Sequence, residues 1–360
     1  MRVLHVVALA GGSFGGPTTV ALAQLSELAR RGHPVRLTAM GTPDVTELEG
    51  IPVTLFREFT VVPGQGVLGR LNPAMVSWLW RAAPTADVVH IHAGRDLVSL
   101  VALAICRLRR VGYVAQTHGM VMPRSSLVAR LFDAAMRPLL SRASTVFVLT
   151  EAEARGVATV APQARQTRLR NGIAIDAGAP RTVGKPPNVL FLARLHPRKR
   201  VEAFCEMAAE LADTGCQFEI AGPDEGSLPV LRERLAERPV ARYLGGFEHE
   251  RSLAALAAAD VYVLPSVDEP FPMTVLEALA AGTPVVCTRS CGLAESLTGR
   301  VGARVTDGSP TALAGAVRSL LADWAAESAG ARQIAAELFG IDAVADLLLK
   351  AYENATPRRS

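Results

Sequence analysis

Runs of apolar residues, broken at intervals by glycine, proline and charge, divide the chain into two successive series of short strands and amphipathic helices. In the first series, β-rich stretches predict strands over 3–10, 35–39, 51–56, 87–92, 113–117 and 145–150. Helical spacing predicts helices over 18–31, 73–80 and 97–110, and a helix-like segment over 124–142 in which arginines interleave with apolar residues. The pattern restarts after a Pro/Gly-rich run at 178–187, which reads as a linker. Beyond it, strands are predicted over 188–193, 217–221, 240–244, 261–265 and 283–287, and helices over 201–213, 228–237, 252–260 and 272–281. Strand, helix and strand in succession make the parallel β–α–β crossover. With ~100–200 residues to a domain, the 360 residues divide into domains at 1–178 and 179–340. A last segment, 341–360, has Val344, Leu347, Leu348 and Tyr352 at helical spacing.

The stretch at 261–288, VYVLPSVDEPFPMTVLEALAAGTPVVCT, reads as strand, polar turn, helix, tight turn and strand. Pro272 suits a first helical position, and Gly282 can take the left-handed conformation past the last turn. Glu277 is the only charged residue between Pro270 and Thr288, with Val275, Leu276, Ala278 and Leu279 around it. A helix apolar on nearly all sides is buried, and a buried carboxylate needs a partner. Glu269 stands eight positions earlier, at the carboxyl end of the preceding strand. Ligands of open parallel sheets bind at that edge, where the amides of Phe271, Met273 and Thr274 can face an anion. Spacing alone leaves open the plainer alternative of a solvated Glu269 and a structural Glu277.

Composition narrows the class. Nearly half of the residues are hydrophobic, without a long polar or low-complexity tract, as expected of folded, soluble domains. Five cysteines, odd in number and without a CxxC pair, fit a reducing cytoplasm and show no zinc site. The longest apolar helical stretch, 97–106, is about half of what a bilayer needs. The apolar run at 3–10 fits a buried strand better than a signal peptide. Charge is uneven: residues 1–180 hold 19 Arg and no Lys against 11 acidic residues, net +8, and the remainder is net −4. Arg124, Arg130, Arg137 and Arg142 among Leu127, Val128, Leu131 and Phe132 fit an anionic membrane surface or lipid acceptor; ordinary solvated faces fit equally well. Sparse aromatics, not interleaved with the basic residues, argue against nucleic acid.

Strand-end residues carry the candidate chemistry. Gly11 to Gly16, between a strand and a helix, have the geometry that lets backbone amides approach phosphate, but match neither GxGxxG nor a Walker loop. His118 closes a strand, where an imidazole can meet a ligand or simply bond a loop carbonyl. His90 and His92 share one strand face with no third ligand at metal spacing. Arg194, Arg198, Lys199 and Arg200 crowd one turn and suit a pyrophosphate. Two such β/α halves predict an α/β protein of two Rossmann-like domains facing a cleft.

These residues resemble a known family. Gly15-Gly16 before a helix, Thr117-His118-Gly119, Asn171-Gly172, the Arg194–Lys199 turn, Ala221-Gly222-Pro223 and the pair Glu269…Glu277 are similar to those of retaining glycosyltransferases of the GT-B fold, over nearly the whole chain. This large family contains sucrose synthases, phosphatidylinositol mannosyltransferases and many bacterial polysaccharide enzymes. The resemblance implies an N-terminal acceptor domain, a C-terminal sugar-nucleotide domain and a C-terminal helix crossing back to the first. It implies a donor that is a UDP- or GDP-type nucleotide-diphosphate sugar and an acceptor that is a glycan or lipid-linked hydroxyl. Glu277 would hold the ribose, Glu269 and His118 would lie by the donor sugar, and Arg194 and Lys199 would hold the diphosphate, with Gly15 and Gly16 also donor-binding. Front-face attack assisted by the leaving phosphate would need no cofactor and no metal; no Asp-x-Asp motif occurs. The chain departs from the family where Arg200 and Pro272 stand in place of frequent glycines, which touches the donor pocket. A non-catalytic sugar-nucleotide sensor and a soluble enzyme with a small acceptor remain as alternatives; a phosphorylase with pyridoxal phosphate has only Lys185, Lys199 and Lys350 to choose from. The expected location is cytoplasmic, with reversible attachment to the membrane face.

Overall fold

The computed structural model describes residues 1–10, 16–175 and 182–356, which form two compact units, 1–172 with 341–360 and 173–340. The first unit is built on an eight-stranded sheet: β1 (Val3–Ala10), β2 (Val35–Gly41), β3 (Glu47–Leu48), β4 (Ile51–Phe56), β5 (Val88–His92), β6 (Tyr113–Gln116), β7 (Val146–Val148) and β8 (Gln166–Arg168). Their order is β3-β4-β2-β1-β5-β6-β7-β8, parallel throughout except for the antiparallel β3–β4 pair. The second unit carries β9 (Asn188–Leu192), β10 (Gln217–Ala221), β11 (Arg242–Tyr243), β12 (Val261–Leu264), β13 (Val285–Thr288) and β14 (Ala303–Thr306), ordered β11-β10-β9-β12-β13-β14 and all parallel.

In each sheet the chain runs outward in one direction, returns, and then runs outward in the other. Strand order therefore reverses between β1 and β5 and again between β9 and β12. At such a point the loops leaving two neighbouring strands diverge and open a crevice at their carboxyl ends. Each sheet is covered on both faces, by two apolar clusters per unit, as parallel sheets require.

The boundary falls at Gly172/Ile173 and not at 178. Proline and glycine content marked the linker in the sequence, whereas pairing sets it in the structure. Ile173 N donates to Phe339 O at 2.8 Å inside the second unit. Gly172 packs against Ile341 within the first, where an added Cβ would come within 2.9 Å of the Ile341 Cα. Part of the expected linker, 178–181, lies outside the described residues.

The helix Ile341–Ala355 belongs to the first unit, burying Val344, Leu348 and Tyr352 against Leu22, Leu25, Val114 and Phe147. Each such fully buried side chain contributes about 1.5–3 kcal/mol. Leu347, expected on the same face, is exposed. Arg30 and Arg31 reach Asp342 and Asp346 at 2.7 and 2.5 Å, but those carboxylates are open to solvent, where a bridge contributes only ~0–1 kcal/mol. Apolar burial anchors this helix.

Other elements differ from the sequence expectation at their ends. Pro272 is the N-cap, in an extended conformation, and Met273 opens the helix, which ends at Ala280 with Gly282 left-handed beyond it. The strand expected over 240–244 shrinks to Arg242–Tyr243, on the sheet edge. β8, β14 and the helices Glu151–Val160, Pro310–Ala322 and Trp324–Phe339 add elements that the pattern left unassigned.

Candidate functional site

At the reversal between β9 and β12, three loops meet. The turn after β9 tightens into a short 3-10 segment, Pro197–Lys199, capped by the His196 ring, which accepts from Arg198 N at 3.1 Å. Val267 N donates to Arg198 O at 2.9 Å, which joins this turn to the loop after β12. Gly292 N donates to Glu269 O at 2.8 Å and Asp268 N to Ser290 Oγ at 3.2 Å, which adds the loop after β13. Here Lys199 Nζ donates to Glu269 Oε2, both residues being 9% exposed. Arg198 Nη2 stands 3.8 Å from the same oxygen. The structure thus joins two residues of the sequence reading that lie 70 positions apart.

Arg194 pairs with Glu225 at 2.7 Å, with its side chain 56% exposed. A surface pair of this kind contributes ~0–1 kcal/mol and exchanges readily for a stronger anion. Arg200, where glycine is frequent in the family, adopts φ +54°. Glycine takes that conformation freely, whereas a side chain there costs about 1 kcal/mol.

The helix Met273–Ala280 begins without a side-chain cap and without an acidic residue in its first turn, so its positive end is not neutralised from within the helix. Phe271, Met273 and Thr274 are half-buried at this end. Glu277 is buried, and it does not lack a partner. Tyr262, absent from the sequence reading, organises this corner: its hydroxyl lies 3.0 Å from Leu192 O, to which it donates, and 2.8 Å from Thr274 Oγ1. Burial, with the Glu269 and Glu277 carboxylates adding to it, pushes the Tyr262 phenol up, so it stays a donor. A lone tyrosine in an otherwise aliphatic strand was the signal for it.

The first unit has its own strand-end cluster. His118 follows β6 with φ +49°, and Gly119 follows with φ +74°. Glu153, buried at the start of its helix, holds this turn by accepting from Thr117 Oγ1 and Gly119 N at 2.5 Å and from Leu149 N at 2.6 Å. Nothing in the sequence singled out Glu153. His118 Nε2 lies 2.7 Å from His92 Nδ1. Burial brings the His118 pKa down to about 3, so the ring is neutral at physiological pH. His5 on β1 joins His90 and His92 on β5, giving three buried imidazoles with ligand atoms within 4.8 Å of one another. The third nitrogen ligand that spacing along the chain did not supply comes from the neighbouring strand. A small cation would fit the donor set, but His5 and His92 already bond each other at 3.0 Å. Gly16 opens its helix with open space around it; Gly15 lies outside the described residues.

This arrangement has clear counterparts. A family model described as "Glycosyl transferase 4-like domain" matches residues 15–172 and one described as "Glycosyl transferases group 1" matches 186–323. The phosphatidyl-myo-inositol mannosyltransferase of Mycobacterium leprae is 30% identical over 315 residues, covering 83% of this chain and 82% of that protein. A GDP-mannose-dependent alpha-mannosyltransferase of Mycolicibacterium smegmatis is 29% identical, over 100% of this chain and 99% of its own. Among solved structures, sucrose-phosphate synthase from Thermosynechococcus elongatus superposes with a TM-score of 0.76 at 19% identity, covering 98% of both chains. Anabaena HepE in complex with UDP gives 0.78 at 18%, covering 98% of this chain and 100% of the other. The chain belongs to the GT-B glycosyltransferases of the group 1 and 4-like type. It is a nucleotide-sugar glycosyltransferase.

Proposed function

We propose that the enzyme transfers a hexose, with retention of configuration, from a UDP- or GDP-type sugar nucleotide to a hydroxyl of a glycan or lipid-linked acceptor. The observation that carries this reading is the meeting of Lys199, Arg198 and Glu269 at the strand-order reversal of the second unit. Breaking the anomeric C–O bond builds positive charge on the sugar and negative charge on the leaving diphosphate. Lys199, Arg194 and the uncapped start of the Met273–Ala280 helix stabilise the anion. Glu269, which keeps Lys199 in place, stands by the sugar, Glu277 takes the ribose hydroxyls, and His118, held neutral, meets a hydroxyl of the donor sugar. In front-face attack the leaving phosphate assists deprotonation of the acceptor, so these residues need neither metal nor cofactor. The donor class is supported by a relative named GDP-mannose-dependent and by neighbours solved with UDP and UDP-glucose. Thermal shifts against UDP-, GDP- and ADP-sugars, followed by transfer of labelled sugar, test it. Binding without transfer or hydrolysis would replace the enzyme by a sensor, and no binding at all would remove the donor assignment.

The membrane face belongs to the same reading. No helix among the described residues is long and apolar enough to cross a bilayer. The helix Leu127–Leu140, however, exposes Leu127, Val128 and Leu131 beside the exposed Arg124 and Arg130. Apolar groups inserted between basic ones suit the surface of an anionic cytoplasmic leaflet, at about 1 kcal/mol for each cation, and bring the site to a lipid-linked acceptor. Arg137 contributes less, since it donates to Val160 O at 2.9 Å. Sedimentation with anionic liposomes checks this: binding should disappear in high salt and in Leu131→Asp/Arg130→Glu, and absence of binding at low salt favours a small soluble acceptor.

A further inference from the structure

The turn that carries His118 is strained, and one buried carboxylate brackets it. Met120 N donates to Thr117 O at 2.7 Å, closing a four-residue turn whose central residues, His118 and Gly119, both have positive φ, +49° and +74°. That is the pattern of a type I′ turn. Glycine takes it freely at the second central position, but at the first a side chain crowds its own backbone. A turn with negative φ is open to the same residues. It would send the His118 Cα–Cβ bond in another direction, away from His92, whose Nδ1 the His118 Nε2 meets at 2.7 Å. Strain of this kind persists only where the surroundings hold it.

Glu153 supplies the hold. It is 3% exposed and stands in the first turn of the helix Glu151–Val160, behind the cap residue Thr150, whose Oγ1 accepts from Glu153 N at 3.1 Å. A glutamate in that place ordinarily turns back to the backbone amide of the cap residue itself. Here Oε2 instead accepts from Leu149 N at 2.6 Å, and Oε1 reaches out to the loop after β6, accepting from Thr117 Oγ1 and Gly119 N, both at 2.5 Å. The two donors to Oε1 are the residues on either side of His118. Further along, Arg95 donates to Met120 O at 2.8 Å and to Met122 O at 2.6 Å, so the strain cannot relax into the residues that follow. A buried carboxylate is costly unless donors surround it, and this one finds two of its three donors in the His118 turn. We infer that Glu153 is a positioning residue for transfer: it keeps His118 left-handed and its imidazole against His92. This role rests on the proposed placement of His118 by a hydroxyl of the donor sugar.

A double-mutant cycle with His118 tests this. Glu153→Gln keeps the size of the side chain but sets its amide N–H groups against a backbone N–H whichever way it turns. Its kcat/KM for transfer or hydrolysis of labelled UDP-glucose or GDP-mannose should be about tenfold lower, the effect of one lost hydrogen bond. Its affinity for UDP or GDP, measured by calorimetry, should be unchanged, because the proposed nucleotide contacts belong to the second unit. His118→Gly keeps the turn without the imidazole and should itself impair transfer. In that background Glu153→Gln should cost nothing further, whereas a residue that only stabilises the unit lowers transfer by the same factor with or without the imidazole. Thr117→Val, the milder change should Glu153→Gln not fold, removes one of the two bracketing bonds. It should give a smaller fall with the same dependence on His118. Equal falls in both backgrounds, a lost nucleotide affinity, or normal transfer by Glu153→Gln and Thr117→Val beside an impaired His118→Gly would each overturn the role of Glu153 alone. Normal transfer by His118→Gly would remove the sugar contact itself, and the role of Glu153 with it.

Discussion

The two units share a topology and differ in what they place at the strand-order reversal. In the second, Lys199, Arg198 and Glu269 gather charge at the loops after β9 and β12, with Arg194 exposed nearby. In the first, the corresponding place between β1 and β5 holds His5, His90 and His92, buried and neutral, with His5 bonded to His92 and both His5 and His90 bonded to Tyr352. The same backbone arrangement therefore serves two chemistries. Fixed charge suits a diphosphate, whose negative charge grows as the bond breaks. A neutral, ordered hydrogen-bond array suits hydroxyls, which ask for direction more than charge.

Acid should separate the units most strongly. A histidine held below its unfolded pKa of about 6.5 binds fewer protons in the native state than in the unfolded one, so its contribution to stability is complete above that pH and is lost as pH falls toward the folded value. Each neutral histidine should then remove up to roughly 1.4 kcal/mol per pH unit below about 6.5. With His5, His90, His92 and His118 all shifted down, the first unit should lose several kcal/mol between pH 6.5 and 5. Hydrogen exchange followed over pH, unit by unit, checks this; equal acid sensitivity of both units would contradict it. Above pH 6 the transfer rate should show no titration from His118, whose pKa is about 3.

Next in size is Lys199→Ala, which takes the nearer, hydrogen-bonded cation from the buried Glu269 and leaves it only the Arg198 guanidinium at 3.8 Å. Removing one partner of a buried pair costs about 3–5 kcal/mol, and the same change should weaken nucleotide binding; denaturant unfolding and calorimetric titration report the two separately. Normal transfer by this variant would reject the diphosphate role. Glu277→Gln should be milder, with the fold intact and nucleotide affinity about tenfold lower, as expected for a charge-assisted hydrogen bond replaced by a neutral one. Unchanged affinity would remove the ribose assignment. Arg200→Gly should have the smallest effect, relieving the left-handed strain and raising stability by at most about 1 kcal/mol. Loss of stability would show that the Arg200 side chain contributes more than its backbone costs.

Much of this was legible in the sequence because it is local. The strand and helix alternation, the left-handed Gly282, the apolar helix around Glu277 and the crowded Arg194–Arg200 turn each lie within one segment, and short-range sterics and periodicity specify them. The short edge strands β8 and β11 were missed or overextended because so few residues leave little pattern. The domain boundary was misplaced because glycine and proline content marks where a chain can bend, and the pairing of Ile173 with Phe339 determines where it does cross.

The residues that organise the sites were the least legible. Tyr352 lies 347 positions from His5, Glu153 lies 36 from Thr117, and Tyr262 lies 70 from Leu192. No spacing rule joins partners so far apart. The sequence by itself determined which chemical groups the protein owns and which segment carries each one, since element type follows from local periodicity and capping. Only the tertiary structure decided which groups meet, because strand order brings β1 beside β5 and β9 beside β12. Burial then turned four histidines into a neutral array and gave one lysine a glutamate as partner, since removal from water penalises any charge that has no opposite charge beside it.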